Sequence, residues 1–110
     1  MDSLGLIRRL QEHRSHVNRL LLQAAARLDA ESLRRPFDVG QGSLWRTLLH
    51  LYGAEYVWLG ALLGEERAVV PGDVVGELPG NQKGEGGVRS VAELREAWEA
   101  LEARWGEFLD

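Results

Sequence analysis

Cysteine is absent from all 110 residues. That excludes disulfides, thiolate nucleophiles and cysteine-built zinc sites. It also fits a cytoplasmic protein, the location expected here. No apolar run approaches the ~20 residues that span a bilayer, and the N-terminus has no signal-peptide layout. Membrane association is therefore not expected. A basic balance is lacking too. The formal charge is −4, which argues against nucleic acid, because phosphate binding wants a basic face. Lysine is reduced to Lys83 against twelve arginines, and histidine to His13, His16 and His50. With so few histidines, any imidazole-based metal site has few possible members.

What is present is helical periodicity. A chain of this length makes one domain, with enough surface to bury for a modest core. A first helix is expected over about 3–28, capped by Ser3. Leu6, Ile7, Leu10, Val17, Leu20, Leu21, Ala24, Ala25 and Leu28 recur at helical spacing and form one stripe, read as core-facing. His13 and Arg14 fall within or at the edge of that stripe. His16 and Arg19 fall outside it. Residues 29–36 read as a turn with room for one short helical turn at 30–33, ended by Pro36.

A second helix is expected over about 43–63, capped by Ser43 and stopped by Gly64. Leu44, Trp45, Leu48, Leu51, Tyr52, Tyr56, Leu59, Leu62 and Leu63 make a wide apolar arc, with Glu55 inside it. His50 lies beside the small residues Gly53, Ala54, Gly60 and Ala61. Residues 64–89 form a loop with seven glycines and two prolines, and 82–87 are expected to be mobile. Its glycines match no phosphate-binding fingerprint. A third helix is expected over about 90–109. It opens on the capping box Ser90-Val91-Ala92-Glu93 and carries the stripe Val91, Leu94, Trp98, Leu101, Trp105 and Phe108.

Three amphipathic helices imply an all-α, up-and-down bundle. Two arrangements remain open. One is a compact three-helix bundle. The other, favoured by the two-faced second helix, has a fourth helix that is missing or supplied by a partner, so that the domain over 1–110 is incomplete at its C-terminus.

Glu55 needs a partner if it is buried, or it will protonate. An antiparallel pairing of the first two helices brings Arg14 and Asn18 level with it, and His13 is a further candidate. A structural pair that fixes helix register and a carboxylate supporting a reaction both fit. His13 and His50 cannot share an ion in that hairpin. They fall about nine residues apart along the axis, or roughly 13 Å, against metal–nitrogen bonds of about 2.0–2.1 Å. His13 and His16 are three apart, but only His13 is expected to face inward.

The pattern LIRRL…HVNRLLLQAAARL…GSLWRTLLHLYGAEYVWLGALLGE resembles the DinB/YfiT-like superfamily. The likeness covers about the first 67 residues and, loosely, the third helix. It implies a four-helix bundle, often homodimeric, that binds a divalent metal of zinc or nickel type through three residues, mostly histidines. The first ligand position corresponds to His50, with Ser43, Glu55 and Trp58 matching its surroundings. Asn18 matches an asparagine frequent in the family's first helix. The family's other two ligands form an HxxxH-type pair on a fourth helix, and no histidine follows His50 here. The resemblance therefore implies a metal-dependent enzyme of thiol-transferase or hydrolase type, with an incomplete site in this chain. Its substrate would be a low-molecular-weight thiol or small electrophile. The alternative is a metal-free helical module that mediates dimerisation.

Overall fold

The computed structural model describes residues 2–66, 68–71 and 88–110. The expected mobility of 82–87 lies outside them. Among the described residues the secondary structure is entirely helical. The elements are α1 (Ser3–Ala25), α2 (Ala30–Arg34), α3 (Leu44–Leu62) and α4 (Val91–Leu109). The short helical turn after Asp29 is present as α2, capped by the Asp29 side chain, which accepts from Ser32 N at 2.6 Å. This hydrogen bond holds the Asp29 carboxyl below its ordinary range. The chain divides into two compact units, residues 1–27 with 91–110 and residues 28–90.

In the first unit α1 and α4 run antiparallel. Arg8 donates from Nε and Nη2 to the Leu109 carbonyl at 2.8 and 2.5 Å. Its cation thus sits at the negative end of the α4 dipole. Further along, the Arg14 guanidinium lies 4.6 Å from the Trp105 ring centre, and Arg19 lies 3.6 Å from Glu102. Leu94, Trp98, Leu101, Trp105 and Leu109 are buried. Leu109 therefore completes the α4 stripe. Phe108 is 39% exposed and meets Trp105 edge-on, with ring centres 6.2 Å apart.

Two expectations for α1 are overturned. Asp2 is the N-cap, accepting from Gly5 N at 2.7 Å, and Ser3 is already helical. More consequentially, the face α1 buries holds Ser15, Asn18, Leu22 and Ala25. The leucine stripe is turned out: Leu6 is 54% exposed, Leu10 61% and Leu20 51%. His13 is exposed with it rather than facing inward. The arginine contacts made by Arg8, Arg14 and Arg19 hold α1 to α4 along a different side of the helix. Periodicity locates an apolar stripe but not its partner.

In the second unit Ser43 caps α3, its hydroxyl accepting from Arg46 N at 3.1 Å. Gly64, at φ +89°, ends the helix as expected. Leu33 of α2 is buried, and Arg34 lies 4.7 Å from the centre of the buried Trp45 ring. Arg34 Nη2 also donates to the Arg89 carbonyl at 2.8 Å. Gly40 and Gly42, at φ +60° and +97°, turn the chain into α3. Phe37 N closes that turn on the Gly42 carbonyl at 2.9 Å.

Candidate functional site

The residues singled out by sequence divide between the two units. His13, Arg14 and Asn18 belong to the first, and His50 and Glu55 to the second. On α3 the buried side is built from Trp45, Leu48, Leu49, Tyr52, Gly53, Leu59 and Gly60. Glu55 is buried among these residue positions at 8% exposure, as its place in the apolar arc predicted. His50 is half-buried. Five residues separate the two, which at 100° per residue is about 140° around the axis. They point in different directions and do not form one polar site on α3.

The rest of the α3 arc is not covered as expected. Leu44, Leu51, Leu62 and Leu63 are exposed, and Trp58 is 67% exposed. The small-residue side is covered at one end by the chain itself. A Cβ built on Gly60 would lie 2.5 Å from Ala68 Cβ and 2.8 Å from Glu65 Oε2. The segment after α3 folds back there, and Glu65 N donates to the Gly60 carbonyl at 3.0 Å. At Gly60, then, the missing side chain leaves room for the returning residues Glu65 and Ala68.

On α1, Asn18 is buried. Arg14 donates to Gln11 Oε1 while its guanidinium lies against Trp105. Gln11 in turn donates to Ser15 Oγ at 3.3 Å. The polar row Gln11–Arg14–Ser15 thus lines the α4-facing side of α1. Sequence reasoning missed the Arg14–Trp105 and Arg34–Trp45 contacts. The first joins residues 91 positions apart, and no local pattern encodes it.

Two concavities are described, one within each unit. A groove of about 130 Å³ lies between α1 and α4, with Arg19, Leu22, Trp98 and Glu102 among its walls. A depression of about 410 Å³ lies along Ala30, Glu31, Arg34, Arg35 and Pro36. Ligand pockets usually run to ~300–1,000 Å³. Neither space is lined by His50 or Glu55. Trp45 Nε1 is buried with no hydrogen-bond partner among the described residues.

A catalytic zinc-type site gathers three protein ligands within bonding reach. Among the described residues no three histidine, aspartate or glutamate side chains are so grouped. His13 and His16 are on α1, and His50 is on α3. The described donors of this chain do not by themselves form a three-ligand site.

The architecture defines a class: an all-helical protein of bundle type with no strand among the described residues. Comparison with protein families matches residues 14–110 to the DinB superfamily. The chain belongs to that superfamily, as the motif around His50 predicted. No curated protein and no solved structure matches it. No helix among the described residues is long and apolar enough to cross a membrane.

Proposed function

We propose that this chain works as a helical assembly module of the DinB superfamily, without a metal-dependent reaction on its own residues. The observation that carries the reading is the exposed apolar side of α1, seen in Leu6, Leu10 and Leu20. Soluble monomers rarely expose contiguous apolar patches beyond a few hundred Å². The dispersed donor set supports the same reading. In this role Glu55, Asn18, Arg14 and His13 serve structure or surface, and homodimer formation is the activity.

A second reading starts from His50, which is half-buried and which the resemblance of its surrounding motif likens to the family's first ligand position. On that reading a second chain supplies the remaining donors. The assembled protein then performs thiol transfer or hydrolysis on a small thiol or electrophile. A bound zinc or nickel ion would supply its usual chemistry there, lowering the pKa of a bound thiol or water.

Metal analysis separates the two. The purified chain is incubated with zinc or nickel, desalted, and compared with His50→Ala. The assembly reading expects no stoichiometric metal that depends on His50. One equivalent per chain or per dimer, lost in His50→Ala, would overturn it.

A further inference from the structure

We draw no further inference here: the strongest candidate, the groove between α1 and α4 over the buried Leu22 and Trp98, carries nothing, because Arg19, Arg95 and Glu99 on its walls are exposed side chains of both signs that select no ligand chemistry, and nothing in the structure shows what covers it.

Discussion

The Arg14 guanidinium lies 4.6 Å from the centre of the Trp105 ring, clamping the middle of α1 to the last turns of α4. Trp105 is buried and Arg14 half-buried, so the cation is partly removed from water where it meets the ring face. Such contacts contribute about 0.5–2 kcal/mol, more as water is excluded. Arg14→Leu, which keeps much of the apolar stem, should lower stability to urea by about 1 kcal/mol. Trp105→Ala should cost about 3–5 kcal/mol. If Arg14→Leu were neutral, packing of the stem alone would hold the contact.

Two glycines in helices should respond oppositely to alanine. At Gly60 the new methyl would meet Ala68 Cβ at 2.5 Å, so the returning segment must shift. Gly60→Ala should destabilise by roughly 1–3 kcal/mol, read as a lowered Tm. At Gly106 nothing lies within 4 Å. Gly106→Ala should stabilise by about 0.4–1 kcal/mol, mainly through the unfolded chain. A stabilising Gly60→Ala would show that the 65–68 segment does not rest on α3.

The Asp29 cap should make α2 sensitive to acid. The hydrogen bonds from Ser32, backbone first and then side chain, hold the Asp29 carboxyl below its ordinary value, and Arg35 adds to the effect. A carboxylate depressed on folding contributes stability above its unfolded pKa and loses it as pH falls through the folded value. Asp29→Asn keeps a capping oxygen but cannot titrate. The stability difference between wild type and Asp29→Asn should therefore shrink or reverse in favour of asparagine as the pH is taken below the ordinary aspartate range. An unchanged difference across a pH series of thermal melts would rule out this contribution.

Glu55 tests the inside of α3. Glu55 is buried, and if its carboxylate is charge-paired there, removing it leaves the other member uncompensated, which typically costs about 3–5 kcal/mol. Glu55→Ala should destabilise by that order. A loss within about 0.5 kcal/mol, by chemical denaturation, would show that the carboxylate reaches water.

Much of this was legible locally. Ser43 and Gly64 bracket α3 because a hydroxyl before the first turn and a left-handed glycine after the last are local chemistry. The short helix after Asp29 follows from a cap and a proline seven residues on. The burial of Glu55 follows from its phase among Trp45, Leu48 and Leu59. The motif around His50 carried the superfamily. The Leu94–Trp98–Leu101–Trp105 stripe of α4 was read correctly except at its end, where Leu109 turns in and Phe108 out. One residue of phase is a rotation of 100°, and at a helix terminus the packing partner decides it.

By itself, the sequence determined the helices, the limits of α3, the exclusion of cysteine chemistry, and the presence of an apolar stripe on α1. Tertiary structure alone decided which side of α1 is buried. Hydrophobic periodicity specifies that a stripe exists, but the hydrophobic effect is non-directional and leaves its partner open. The directional contacts of Arg8 with Leu109, Arg14 with Trp105 and Arg19 with Glu102 link positions roughly 80 to 100 residues apart. They turn the polar row of α1 towards α4 and leave its leucines facing outward.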